Sequence, residues 1–236
     1  MKIIVSLVLG IISIGTFSFA HAATPVLSET QRLQESIERI SPSVVTIIVG
    51  NRIGRTVYRV GTGTGFIFTT NGYVLTNNHV VSDPKRYYIA QLSNGDLKKA
   101  DVVYKDAVTD VAVLKIEGTY PSIAIFGNSS YIERGQLIAS LGSASTTDKR
   151  VSAIGNVTDF NMEVVATGKN KLREELSGLL VSTADINPGY SGGPIINSTG
   201  HVIGMNVAKN VKIKNLSFMI PIDTIKTSIR DFFSSL

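Results

Sequence analysis

From Val44 onward the chain is built of short segments rich in Val, Ile and Tyr, separated by turn dipeptides such as Asn71-Gly72 and Asn94-Gly95. That pattern suits strands and leaves little room for long helices. Seven candidate strands fall at residues 44–49, 56–60, 65–69, 73–76, 87–92, 101–104 and 111–116. A turn-rich connection over 121–134 follows, and six more candidates lie at 136–141, 151–158, 179–183, 195–197, 202–207 and 216–220. The class expected is all-β. Helical periodicity shows only at the edges of this array. Ser28-Glu-Thr-Gln31 has the form of a capping box, with Leu33, Ile37 and Ile40 at helical spacing until Ser41-Pro42. Asp223 reads as the N-cap of a last helix over 224–233, and 169–176 as a short helix in a loop.

The first 22 residues read as a secretory leader: Lys2, an apolar run to Ala20, and Ala20-His21-Ala22 as a small-x-small cleavage site. Its removal leaves 214 of the 236 residues, and no later stretch is long and apolar enough to span a bilayer. An exported protein without a single cysteine must be held together by packing alone. The net charge of +5 comes from scattered Lys and Arg residues, so neither nucleic acid nor a membrane surface is an expected partner.

Chemistry enters at residues 187–194, Asn-Pro-Gly-Tyr-Ser-Gly-Gly-Pro. Pro188, Gly189, Gly192 and Gly193 describe a tight turn that exposes the Ser191 hydroxyl and converges backbone N–H groups on one point. A serine hydroxyl becomes a nucleophile only beside a base, and that base needs a carboxylate to orient it. Of three histidines, His21 lies in the leader and His201 in a turn, whereas His79 closes an apolar strand in Thr-Asn-Asn-His-Val-Val. Asp110 stands at the edge of Val-Ala-Val-Leu-Lys-Ile and is the carboxylate candidate, with Asp106 its nearest rival. The oxyanion donors expected of this turn are the N–H groups of Gly189 and Ser191. No cluster of residues has metal-ligand spacing, and Gly61-Thr-Gly-Thr-Gly65 lacks the lysine of a phosphate loop, so no cofactor is expected and those glycines read as a strand entry.

The order His79, Asp110, Ser191, each at a strand end, resembles the trypsin-like serine proteases of the Deg/HtrA type. The resemblance extends through Ser-Pro-Ser-Val-Val-Thr-Ile at 41–47, the glycine run and Asn-Leu-Ser-Phe-Met-Ile-Pro-Ile-Asp at 215–223. It implies a chymotrypsin-like fold of two six-stranded β-barrels, about 42–120 and 135–221, with a short helix at each end. It also implies a serine endopeptidase acting on protein or peptide substrates in the periplasm or outside the cell, and a trimer as the assembly. Such proteins often continue into a PDZ domain, and the sequence after residue 233 is too short to build one, so the protease domain alone is expected.

The resemblance further implies that Gly204, Met205, Asn206 and Val207 form the strand that pairs with substrate. Asp185, six residues before Ser191, has the offset of the residue at the base of the primary specificity pocket. A buried carboxylate there would select Lys or Arg, whereas Deg/HtrA proteins have small neutral residues at this place and prefer small aliphatic side chains. Tyr190 also departs from the pattern, which has Asn or Asp beside the nucleophile. The residues leave open a catalytically silent chaperone or peptide-binding module, and an esterase on the same fold.

Overall fold

The computed structural model describes residues 27–143, 150–167, 173–209 and 216–235. The expected leader lies outside them, as do residues 169–172 of the expected loop helix. Seven strands form the first unit: β1 (Val44–Ile53), β2 (Thr56–Ile67), β3 (Tyr73–Asn77), β4 (Tyr87–Gln91), β5 (Leu97–Lys99), β6 (Asp101–Asp106) and β7 (Val111–Lys115). They pair in the order β5-β4-β1-β2-β3-β7-β6, all antiparallel, as a curled half-barrel. The two segments expected at 56–60 and 65–69 are one strand, because the glycine run between them keeps its register against β1 with a single bulge at Val49/Gly50. Leu97–Lys99 escapes sequence patterning because it is a three-residue edge strand of exposed and half-exposed residues.

The second unit is a closed barrel in the order β10-β13-β12-β11-β8-β9. Its strands are β8 (Leu137–Ser143), β9 (Arg150–Thr167), β10 (Arg173–Ser182), β11 (Pro194–Ile196), β12 (Val202–Lys209) and β13 (Ser217–Pro221). Where a helix was expected at 173–176 the chain is instead strand, paired from Arg173↔Thr167 to Leu176↔Val164, so β9 and β10 run on as a long hairpin. The two-barrel chymotrypsin-like fold is thus present, one barrel closed and one half closed.

Helix α1 (Glu29–Ile40) begins with the capping box read from the sequence: Gln31 N–H donates to Ser28 Oγ at 3.2 Å, and Ser28 N–H to Gln31 Oε1 at 2.8 Å. It buries Leu33 and Ile40 against the second barrel, where Ser36 Oγ donates to the Ser198 carbonyl. These side chains join a core that runs between the units, with Phe66, Leu75 and Val113 from one and Leu141, Met205 and Ile220 from the other. No described helix is long and apolar enough to cross a membrane.

Helix α2 (Ile222–Ser234) starts two residues earlier than expected, after Pro221, so Asp223 is not its N-cap. Its carboxylate reaches the inter-barrel connection instead, accepting from Ser129 N–H (2.9 Å) and Ser129 Oγ–H (2.8 Å) and pairing with Lys226 at 2.9 Å. Burial works to raise this carboxyl, but the Lys226 and Ser129 contacts outweigh it and hold the pKa at about 2, below the ordinary 3.8. A pKa depressed on folding stabilises above the unfolded value, and that stabilisation is lost as pH falls from about 4 toward 2. The melting temperature of Asp223→Asn should therefore fall less steeply than wild type between pH 4 and 2. Parallel slopes in thermal unfolding would remove this role for the clasp.

Candidate active site

Strands β3 and β7 are antiparallel neighbours with Asn77 opposite Val111, so the residues that follow one and precede the other lie at the same end of the sheet. His79 stands on the helical turn Asn78–Val80 after β3, and Asp110 immediately before β7. His79 Nδ1 lies 2.8 Å from Asp110 Oδ2, and the His79 backbone N–H donates to Asp110 Oδ1, also at 2.8 Å. Both carboxylate oxygens thus serve one histidine. Asp110 takes a left-handed φ of +54°, which Asp tolerates better than most side chains. Its carbonyl is held by Asn78 N–H (3.1 Å) and Asn77 Nδ2 (3.2 Å). The carboxylate is buried, while the imidazole side chain is 34% exposed and so open to a ligand.

Asp106, the rival carboxylate, is engaged elsewhere. It accepts from Thr109 Oγ1 (2.6 Å), Ser228 Oγ (2.9 Å) and Val108 N–H (2.9 Å). Burial works to raise its pKa, and these bonds outweigh burial and hold it below the ordinary value. It ties α2 to the loop that ends in Asp110.

The Ser191 turn docks between the units. Tyr190 N–H donates to Asn187 O (3.1 Å), closing a four-residue turn with Pro188 and Gly189 at its centre. Gly189 has φ +107° and Gly192 φ +85°, so both need glycine. A Cβ on Gly192 would overlap the Thr64 carbonyl and the Thr76 hydroxyl and lie 3.0 Å from Asn77 N, which places the turn against the strand that leads to His79. Among the described residues neither the Gly189 N–H nor the Ser191 N–H donates to another protein group. The Ser191 hydroxyl donates to the Val207 carbonyl at 2.9 Å and must turn from it to hand its proton to an imidazole.

Of the expected substrate-binding residues, Val207 alone offers a group to Ser191. Met205 is fully buried, and a Cβ on Gly204 would lie 2.9 Å from Ile220 O. Asn206 is also fully buried, with its side chain joined to Ser140 Oγ (2.8 Å) and Gly193 O (3.1 Å), and its carbonyl takes Gly192 N–H (2.9 Å). It braces the turn from behind. Of the two readings open for Asp185, its exposure is the one expected of a side chain that is not a buried pocket base: Ala184 and Ile186 are buried and Asp185 between them is exposed. Burial, and to a lesser extent the Asp185 charge, raise the phenol pKa of Tyr190, whose ring packs on the Gly142 backbone. Tyr190 therefore fills core space beside the nucleophile. The residue that sequence reading missed is Thr64, hidden in the glycine run.

Two antiparallel units with a histidine–carboxylate pair on one and a glycine-braced serine turn on the other define a trypsin-like peptidase architecture. The chain belongs to the trypsin-like peptidase domain family, whose sequence model matches residues 63–205, and within it to the Deg/HtrA type. It is 37% identical over 164 residues to a Pseudomonas putida (strain GB-1) protein named as a DegP-like periplasmic serine endoprotease, a match covering 68% of this chain and 32% of that protein. It is 31% identical over 182 residues to the serine protease Do-like HtrA of Lactobacillus helveticus, covering 74% of this chain and 43% of the relative. The crystal structure of Deg5 is similar with a TM-score of 0.68 and 30% identity, covering 86% of this chain and 94% of that one. The chain spans less than half the length of the curated relatives it matches.

Proposed function

We propose that the protein is a serine endopeptidase that hydrolyses peptide bonds in unfolded or misfolded polypeptides outside the cytoplasm, after removal of residues 1–22. Ser191 Oγ attacks the scissile carbonyl carbon while His79 takes its proton. The tetrahedral oxyanion lies against the N–H groups of Gly189 and Ser191. His79 then gives the proton to the leaving amine as the C–N bond breaks, and water releases the acyl group by the same route. Asp110 holds the imidazole and stabilises its charged form. The observation that carries this reading is the pairing of both Asp110 oxygens with His79, together with a serine turn whose Gly189 and Ser191 N–H groups donate to no other group among the described residues. The export site rests on the leader-like N-terminus and on relatives named as periplasmic, and trimeric assembly on family resemblance alone.

Digestion of casein by the chain from residue 23 onward, with cut sites mapped by mass spectrometry, tests the reading; an intact, correctly folded protein that leaves casein uncut would refute it. Because Asp185 is exposed, cuts should follow small aliphatic residues, as the family resemblance implies, and Asp185→Asn should leave peptide cleavage within about twofold. Preferred cleavage after Lys, lost in Asp185→Asn, would restore the basic-pocket idea. A valine at Gly189 cannot hold φ +107° without strain, so Gly189→Val should lower kcat by about 10²–10³-fold, the usual cost of one oxyanion donor, while the fold persists. Unchanged turnover in a folded variant would count against Gly189 as a donor.

A further inference from the structure

We propose that Thr64 is a positioning residue for the oxyanion hole, holding from the first unit the one peptide plane that lies between the two donors; this rests on the hydrolytic reading above. Thr64 is fully buried in β2. Its hydroxyl donates to the Gly189 carbonyl at 2.5 Å and accepts the Ser143 N–H at 2.9 Å. Its backbone N–H donates to the Ser191 carbonyl at 2.8 Å, and its carbonyl accepts the Thr76 hydroxyl at 2.7 Å. Every polar group of this residue is used, and two of its four bonds end on the turn that carries the nucleophile.

The Gly189 carbonyl belongs to the peptide between residues 189 and 190, whose N–H is closed onto Asn187 O. With both ends fixed, this plane sets the angle between the Gly189 N–H before it and the Ser191 N–H after it. The next plane is fixed by Gly193 N–H on Tyr190 O at 2.8 Å. Without the Thr64 bond, the tie from Tyr190 N–H to Asn187 O is left to hold this plane alone, and Gly189 has no Cβ to limit its rotation. Among the described residues, Thr64 makes the one side-chain hydrogen bond to the backbone of residues 187–191.

The direction of the hydroxyl is also determined. An Oγ that accepts from Ser143 N–H has its proton left to donate onward, toward Gly189 O. The Ser143 hydroxyl is in turn 2.6 Å from Thr46 Oγ1, so Ser143 of the second unit is tied to the first at both Thr46 and, through its backbone N–H, Thr64. The aim of the oxyanion donors thereby depends on how the two units are seated on each other. Valine matches threonine in shape and deletes the hydroxyl, whereas serine keeps it.

The test compares wild type with Thr64→Val and Thr64→Ser in two readouts: the Gly189 and Ser191 amide resonances in nitrogen-15 spectra, and kcat and KM on a casein-derived peptide. Thr64→Val should displace both resonances with the remaining spectrum well dispersed, and lower kcat about 10–100-fold, less than full loss of a donor, with KM within about threefold. Thr64→Ser should return both readouts to wild type. Unmoved resonances in Thr64→Val would overturn the proposal whatever the rate, as would equal kcat in the two variants. If wild type itself shows no turnover, the hydrolytic reading fails while the resonances still decide the role of Thr64. Should the valine variant not fold, Thr64→Ala takes its place in the same measurements.

Discussion

Ser191→Ala should retain no more than about one part in 10⁶ of wild-type kcat, the scale on which loss of a catalytic serine acts when nucleophile and base work as a unit. On the proposed mechanism the change removes the one atom that forms a bond to substrate, and it disturbs little else. The turn is held by backbone groups: Thr64 N–H on Ser191 O, Gly192 N–H on Asn206 O and Gly193 N–H on Tyr190 O. The hydroxyl itself contributes one bond, to the Val207 carbonyl, on a half-buried side chain. Stability should therefore change by less than about 1.5 kcal/mol, the net worth of an ordinary hydrogen bond, and substrate should still bind. A variant that cleaves casein at a tenth of the wild-type rate would mean that some other group performs the attack.

Asp110→Asn should cost about 10⁴-fold in kcat by a different route, through the tautomer of His79. The His79 backbone N–H is a fixed donor, so the oxygen of an asparagine at position 110 must face it, as Oδ1 does now. The amide NH₂ then faces Nδ1, where Oδ2 accepts today. Nδ1 is forced to accept and Nε2 to carry the proton, which leaves the imidazole unable to take the proton of Ser191. The rate falls although every heavy atom stays in place, and KM should hardly move. Measured kcat and KM on one peptide check this, and a loss below tenfold would show that Asp110 does not set the tautomer.

The parts of this fold visible in the sequence are those governed by local rules. Asn71-Gly72, the Ser28–Gln31 capping box and the alternating strands depend on neighbours a few residues away; the turn and the box appear where their pattern puts them, and each expected strand overlaps an observed one. The pairing of His79 with Asp110 was legible because both stand at strand ends beside turn signals. What patterning missed depends on contacts across the chain. Residues 173–176 have helix-favouring composition, yet pairing with 164–167 makes them strand. Asp223 resembles a cap but finds a stronger set of partners 94 residues away at Ser129. For Asp185 the offset from Ser191 left burial open, and its exposure between buried Ala184 and Ile186 shows only in the folded chain. Thr64 sits among glycines that pattern reading treats as backbone punctuation, and its role becomes visible only when Gly189, 125 residues later, lies against it.

The most direct test of the site as a whole is to treat the folded protein with a fluorophosphonate and locate the adduct by peptide mass spectrometry. The reagent reports an activated serine: the Ser191 oxygen forms a bond to phosphorus as fluoride leaves, and His79 takes the proton. One adduct, on the peptide containing Ser191, absent in Ser191→Ala and reduced by orders of magnitude in His79→Ala, is the predicted result. A folded protein that takes up no label, or takes it up elsewhere, or is labelled equally without His79, would contradict the assignment of Ser191, His79 and Asp110 as one catalytic unit.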